Sequence, residues 1–597
     1  MKIFYLSILS VFFCQSSLAQ LTVRNDAYIF ATNIEVYVED DVNLTEANST
    51  FYLRDEAQLI QGSGNTGNSG VGRLSVYQEG NVDNYAYNYW ASPVGNVSAN
   101  TTGNRTFIPN QNIFDVVDLT NSNPAGFSTT GYNGTSSPLN IEQYWLWKYN
   151  PGTAYSEWDY VGQSGFVDAG YGFTMKGTDA GNQQYDFRGK PNEGEISTAI
   201  GNGQETLIGN PYPSALDALA FIHDPNNTGL LDTGTLYYWD HDPNANSHVL
   251  VNYRGGYGTY TIDATGTVES YVAPTYDTYN ADGTLNTIGT ASTSGKIARR
   301  YIPIGQGFMV KGAAAGTLLT SDSHRVFYRE SAANSEFFRT TNQNESATTN
   351  QTTNQGIQYN ADGLAIVPSD FKRFRLNIDF NETYTRQLLQ NFHNTATSGE
   401  DYGLESRIPE PLSSDAFWPQ STKKLVTQAN AYDLDLAIPV VLNLNAQQLI
   451  RFRIFDVQNF ENNQPIYIHD KVTDMYVDLQ SQNFEINLPA GNYTDRFEVV
   501  FVEGNALSTD EFAENNFNVI QNNNISELVV LNPKKLDIES IKLYDVSGKM
   551  IFNEIVKNNN ERLGYSTKNL SDGVYLVQAT LSNNNTTTKK VIVANKK

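Results

Sequence analysis

Phe374-Arg375-Leu376-Asn377-Ile378-Asp379-Phe380 alternates apolar and polar side chains at every step. An extended chain sends successive side chains to opposite faces, so this spelling is a β-strand with one face for a core and one for water. The same period returns in Ile450-Arg451-Phe452-Arg453-Ile454, and further strand-forming runs lie at Ala437 to Leu442, Ile466 to Asp470 and Arg496 to Phe501. Turn residues separate them. Together they place an antiparallel, jelly-roll-like β-sandwich at 359–504, with a wet face on each sheet. Before it runs a Thr/Asn/Gln-rich linker, 339–358, too poor in apolar residues to offset its ordering entropy, and after it a second polar linker, 505–517.

The remainder of the chain carries a matching signature. It holds 36 Tyr, 30 Phe and 45 Gly against 17% charged residues. Aromatic side chains suit pleated surfaces and glycine suits turns, so the fold class is all-β, a multidomain chain of β-sandwiches and β modules. Its 597 residues correspond to about four folding units at roughly 150 residues each. Short strands such as Ile34 to Val38 and Phe51 to Arg54 form an N-terminal β module at 20–83. One short helix is expected between Ser214 and His223, capped by Ser214.

An internal duplication relates 84–200 to 201–338. Tyr89-Trp90-Ala91-Ser92-Pro93 answers to Ile208-Gly209-Asn210-Pro211, and Trp147 to Pro151 answers to Trp239 to Pro243. Gly170-Tyr171-Gly172-Phe173-Thr174-Met175-Lys176-Gly177 answers to Gly305-Gln306-Gly307-Phe308-Met309-Val310-Lys311-Gly312, and Asp186-Phe187-Arg188 to Phe327-Tyr328-Arg329. Matched landmarks in one order mean two copies of one β topology, with Phe173 on Phe308 and Trp147 on Trp239.

Residues 1–19 read as a secretory signal peptide: Lys2, an apolar run from Ile3 to Cys14, and Ser17-Leu18-Ala19 as the cleavage pattern. Cleavage removes Cys14, the single cysteine, and with it thiolate catalysis, disulfides and Cys-ligated zinc. No other apolar run approaches the roughly 18 residues of a membrane helix, so no transmembrane segment is expected in the mature chain. The net charge of -25 repels phosphates, which sets nucleic acid aside as a partner. Within that total the last 80 residues stand apart. Residues 518–597 hold 11 Lys/Arg against 7 Asp/Glu, net +4, while 20–517 hold 27 against 57, net -30.

The tail also spells something specific. Leu543-Tyr544-Asp545-Val546-Ser547-Gly548-Lys549 is followed by Leu570-Ser571-Asp572-Gly573-Val574-Tyr575-Leu576-Val577 and by a basic last strand, Lys589-Lys590-Val591-Ile592-Val593. This order and terminal position resemble the type A C-terminal sorting domain of the type IX secretion system of Bacteroidetes. The resemblance covers 518–597 and implies a small β-sandwich that the secretion machinery reads, with Tyr544, Asp545, Gly548, Lys549, Gly573, Val574 and Tyr575 as its motif. It further implies a secreted or outer-membrane-surface location. Gly548 and Gly573 are both expected in turns at positive φ.

Chemistry is sparsely signalled. No P-loop, nucleophile-elbow or zinc-protease motif occurs, and the six histidines are scattered, so no catalytic residue is assigned. Asp240, Asp242 and Asn244 place oxygens at alternate positions, as calcium loops do, although Ala245 and Val251 depart from the EF-hand pattern. Calcium is the one cofactor raised. Trp145, Trp147 and Trp158, with Tyr144 and Tyr160, are candidate platforms for sugar faces or else core aromatics. The leading expectation is a binding protein rather than an enzyme, an adhesin-like or matrix component with a glycan or surface ligand as partner. The alternative is a polysaccharide hydrolase with dispersed carboxylates.

Overall fold

The computed structural model describes residues 20–330, 357–503 and 518–595, apart from 63, 65, 99–101, 292–293, 462–463, 524 and 583–585. The signal peptide at 1–19, all but the end of the 339–358 linker, and the 505–517 linker lie outside the described residues. Strands build almost everything. The expected helix is shorter than its sequence limits: Ala218–Ile222 is helical and is capped by Asp217, whose carboxylate accepts from the Leu219 N–H, while Ala215–Asp217 is strand. Two compact units result, Met1–Val502 and Glu503–Lys597.

The first unit begins as a short parallel solenoid. Leu21–Val23, Val42–Leu44 and Ser69–Gly70 pair in parallel. So do Tyr28–Thr32, Thr50–Arg54 and Arg73–Gly80. Each strand therefore meets its counterpart one coil on, Tyr28 opposite Thr50 and Thr50 opposite Arg73. Asn33 and Asp55 turn corners at φ 56° and 52°, a left-handed conformation that short polar side chains tolerate. The last coil pairs with Gln183–Pro191, Val76 opposite Phe187, and one core holds Val23, Phe51, Leu74, Phe107, Phe173 and Phe187. The boundary expected at 83/84 is thus corrected, because 20–83 and 84–200 share a sheet and a core.

Two sheets in the middle of the unit run in one order. Trp158–Tyr160, Trp147–Tyr149, Gly172–Lys176 and Tyr87–Ala91 are neighbours in the first, matched by Gly255–Ile262, Leu231–His241, Gly307–Gly312 and Glu205–Gly209 in the second. Phe173 lies opposite Trp90 and Phe308 opposite Ile208, so these landmarks correspond. The tryptophans do not. Trp147 faces Thr174, whereas Met309, the counterpart of Thr174, faces Tyr237. Trp239 therefore matches Tyr149, two residues on, a slip that leaves the side chain on the same face of the sheet.

Contacts between the two copies reciprocate as across a two-fold axis. Ala91 N–H donates to Gly305 O at 2.8 Å, and Gly209 N–H donates to Gly170 O at 3.1 Å. This explains the glycines. Gly170 and Gly305 sit at φ 89° and 76°. A Cβ on Gly172 would lie 3.0 Å from Ile208 O, and one on Gly307 would lie 2.8 Å from the Tyr89 carbonyl carbon, each belonging to the other copy.

Residues 372–500 form an eleven-stranded sheet whose edges are Met475–Asp478 and Phe484–Leu488. It curls on itself, since Phe497 packs on Phe452 at 5.3 Å and on Phe484 at 6.3 Å. The sandwich expected at 359–504 is thus one wrapped sheet, antiparallel except where Tyr384–Phe392 runs parallel to Lys423–Asn430. Its wet face is also corrected at the opening stretch. Lys372–Phe380 is a strand, yet Arg375, Asn377 and Asp379 are buried. Arg373 donates to Glu269 O at 2.9 Å and Arg375 to Tyr271 O at 2.7 Å, so the polar face docks on the second repeat.

The second unit is a two-sheet sandwich. Asn518–Asn522, Glu527–Leu531 and Arg562–Ser566 make one sheet, and Met550–Asn558, Ile538–Asp545, Gly573–Leu581 and Thr586–Val593 make the other. Leu528, Val530, Ile541, Leu543, Tyr575 and Val591 fill the core.

Candidate functional site

The three candidate tryptophans part ways. Trp158 packs inward on Tyr149 at 5.0 Å and Tyr89 at 6.1 Å. Trp145 is buried. Trp147 is half-exposed and lies within a ribbon of surface rings: Tyr132 to Tyr144 at 5.8 Å, Tyr144 to Trp147 at 6.1 Å, and Trp147 to Tyr160 at 5.0 Å. Tyr132, Tyr144 and Tyr160 are 55%, 49% and 49% exposed, far more than an aromatic spent on a core. Tyr132, in a Gly-bounded loop, carried no sequence signal beyond its residue type.

Local structure holds the ribbon rigid. The strand pairing sets Trp147 directly across from Tyr160 on one face. Tyr144 rides a 3-10 turn, Gln143–Trp145, whose first N–H groups include one captured by the Glu142 carboxylate. The Trp147 indole donates to Tyr144 O at 2.6 Å, and the Trp145 indole donates to Tyr132 O at 2.8 Å. Gly162, at φ 56°, underlies Tyr160, where a Cβ would meet the ring at 2.9 Å.

Behind the ribbon an ammonium sits among rings. Lys176 Nζ lies 3.8 Å from the Trp145 ring centre, 4.8 Å from Tyr87 and 5.4 Å from Tyr253, with His248 Nδ1 at 3.2 Å. Burial lowers the lysine to about 7, although Asp83 pulls the other way. Between that value and the ordinary 10.5 the unfolded chain holds a proton that the folded chain lacks, so this group makes stability rise with pH through that window. From pH 7 to pH 9 the gain is about 2 kcal/mol. Urea unfolding of the wild type and of Lys176→Met at both values checks this. The variant should lack that part of the rise, and parallel pH profiles would contradict it.

Asp240, Asp242 and Asn244 satisfy the protein rather than one another's common ligand. Asp240 is fully buried and accepts from Tyr276 Oη at 2.9 Å and Ser294 Oγ at 2.6 Å. Asp242 is paired with Arg254 at 2.6 Å and accepts from the Asn244 amide at 3.1 Å, an arrangement that closes a turn. Among the described residues no group of three or more His, Cys, Asp or Glu is placed to hold a metal ion.

In the tail, Asp545 Oδ1 accepts from the Ser547 N–H at 2.9 Å and the Lys549 N–H at 3.0 Å, closing the turn that Gly548 completes at φ 82°. The Ser547 hydroxyl, which donates to the same oxygen at 2.6 Å, together with these backbone bonds holds the Asp545 carboxyl below its ordinary range. Tyr544 lies at the end of the strand feeding this turn. Tyr575 is buried, donates to Ser571 O at 2.9 Å and pairs with Val591. Val574 follows Gly573 at the start of Gly573–Leu581. Gly573 differs from expectation. It is not among the residues at positive φ, and a Cβ there would meet only the Tyr575 ring at 4.0 Å, because it opens a strand instead of completing a turn.

Two acids converge elsewhere, Glu205 and Glu410, on a cleft with about 20 Å³ of reachable space. That is room for roughly one water, not for a sugar ring flanked by two carboxylates.

Comparisons with known proteins add the following. No curated protein matches. Among solved structures, a DUF3244 family protein with an immunoglobulin-like β-sandwich fold from Bacteroides vulgatus is 13% identical, covering 14% of this chain and 93% of its own, with a TM-score of 0.13. The BSP domain of a biofilm associated protein is 9% identical over 76% of this chain and 88% of its own, at 0.12. Tp47, the 47-kilodalton lipoprotein of Treponema pallidum, is 9% identical over 64% and 92%, at 0.10. At such scores none bears on what this chain does. The tail, residues 507–593, matches the family model described as Domain of unknown function (DUF8694). Residues 127–501, well over half of the sequence, match another, and the chain belongs to the family described as Domain of unknown function (DUF8693).

Proposed function

We propose that the chain is a secreted, surface-displayed binding protein that engages saccharide through the ribbon Tyr132, Tyr144, Trp147 and Tyr160. The ribbon itself is the observation that carries this reading: three exposed rings and the half-exposed Trp147, stepped 5.0 to 6.1 Å apart and locked from beneath. Successive rings meet edge to face, at 83°, 84° and 62°, so the ribbon offers a stepped apolar surface to the C–H face of a pyranose and polar rims to its hydroxyls. The role is adhesin-like or that of a matrix component.

Export is the second half of the reading. The spelling of the tail supports it, as does the placing of those residues in a compact unit of their own. The type IX secretion machinery is the partner this tail would address, after signal-peptide cleavage.

A glycan array probed with the mature chain tests the binding half. Binding to at least one glycan class is expected, and Trp147→Ala with Tyr160→Ala should cost about 2 kcal/mol, or roughly thirtyfold in affinity. Tyr160 is 49% exposed and Trp147 half-exposed, so losing this cross-strand pair should lower stability by no more than about 1 kcal/mol. An array signal indifferent to these variants would contradict the reading. Release of reducing ends from a bound glycan would favour the hydrolase alternative instead.

A further inference from the structure

Lys296 reaches back across 215 residues of sequence, and its Nζ lies 3.3 Å from the Asn81 side-chain oxygen. A second donor meets that oxygen, the Asn88 amide, also at 3.3 Å. Two donors on one carboxamide oxygen draw electrons from Cγ, one bond further on, and leave that carbon open to a nucleophile. Burial supplies the nucleophile. It pulls the Lys296 ammonium below its ordinary range, with Asp240 pulling the other way, so more of the neutral amine is present than on a surface lysine.

A proton acceptor stands beside them. The Asp240 carboxylate is fully buried and is the charge that acts on Lys296. Ser294 ties the two together: its hydroxyl donates to Asp240 Oδ2 at 2.6 Å and accepts the Lys296 backbone N–H at 3.1 Å. The His241 N–H and Tyr276 Oη hold the carboxylate in place at 2.9 Å each. Amine, carboxamide and carboxylate are thus fixed as neighbours, which raises their effective concentration by orders of magnitude over the same groups free in water.

We propose that Lys296 and Asn81 join in an isopeptide bond. Asp240 takes a proton from the ammonium, and the freed lone pair of Nζ attacks Asn81 Cγ. The Nζ–Cγ bond forms and the Cγ–Nδ2 bond breaks. Both protons shed by Nζ leave with the departing nitrogen as ammonium, relayed through Asp240, whose carboxylate is restored. No oxidant or other co-reactant enters. Asn81 directly follows Arg73–Gly80, which pairs with Gln183–Pro191 of the first repeat, so the bond fastens the solenoid and first repeat to the second. It is independent of saccharide binding at the ribbon.

Mass spectrometry of a tryptic digest of the mature chain tests the proposal. Trypsin does not cut after an acylated lysine, so the expected product is 74–105 joined to 255–299, lighter than the two peptides together by one ammonia. Fragmentation should place the link at Asn81 and Lys296. Lys296→Arg and Asn81→Ala should each abolish the joined pair, and Asp240→Asn should slow its formation about a hundredfold. Free 74–105 and 255–296 as the only products of the wild type would overturn the bond, and that digest decides the matter even where a variant fails to fold. A joined pair that persists in Lys296→Arg, or forms at an undiminished rate in Asp240→Asn, would overturn the assignment of nucleophile and proton acceptor.

Discussion

Gly307→Val is expected to destabilise the first unit by about 3 kcal/mol or more, the cost of forcing atoms into a closed packing. The Cβ would sit 2.8 Å from the Tyr89 carbonyl carbon and 2.9 Å from Trp90 N, backbone atoms that cannot swing aside as a side chain can. Gly172→Val should behave alike, since its Cβ would meet the Leu207 side chain at 2.7 Å and Trp90 O at 3.0 Å. Because both changes prise apart one reciprocal contact, the double variant should cost less than the two singles added. Gly491→Ala is the control: its Cβ would meet nothing closer than the Tyr493 ring at 3.7 Å, and stability should stay within about 0.5 kcal/mol. Chemical denaturation measures all four. Additive losses, or a Gly307→Val protein as stable as the control, would dismiss the two-fold account of the repeats.

Removing residues 518–597 is expected to leave the melting and glycan binding of the remaining chain unchanged and to stop its arrival at the cell surface, so that it collects in the periplasm. The tail has its own core of Leu528, Val530, Ile541, Leu543, Val577 and Val591 and forms a compact unit by itself. It carries +4 against the -30 of the body. Surface proteolysis and fractionation in a host with type IX machinery would measure the effect, with Asp545→Ala as the point variant. That change removes the acceptor for the Ser547 and Lys549 N–H groups and so opens the turn. Normal surface levels of the tail-less chain would refute the sorting reading. Gly573→Ala should be silent, because that glycine makes no demand on φ.

How far the fold could be read depended on what each pattern reports. Period two in Phe374 to Phe380 announces a strand, and the strand is there. It cannot say what covers the polar face, and here Glu269 O and Tyr271 O of the second repeat accept from Arg373 and Arg375. The repeated Gly-x-Gly-Phe motif was legible because backbone approach admits only glycine, and the matched strand order follows from it. The tryptophans misled because two residues along a strand is a full period, which packing tolerates and letter-matching cannot see. The solenoid of 20–80 was hidden, since its strands are as short as Leu21–Val23 and its coils share no letters, only corner residues such as Asn33 and Asp55. Of the site, ring types were visible but exposure was not. Trp145 and Trp147, two apart, end on a buried cage and on an open ribbon. Glu205 and Glu410 gave no signal, because their convergence depends on the docking of the wrapped sheet.

Intrinsic fluorescence tests the central claim most directly. Of the six tryptophans, Trp90, Trp145 and Trp418 are buried and Trp158 and Trp239 pack within the face between the repeats, which leaves Trp147 as the reporter on the ribbon. Titrating the mature chain with a glycan selected on the array should shift and change the emission with saturation, and Trp147→Phe should remove that change while keeping part of the affinity. A saturable change that survives in Trp147→Phe, or bound glycan with no change at all, would place the binding surface elsewhere and contradict the account.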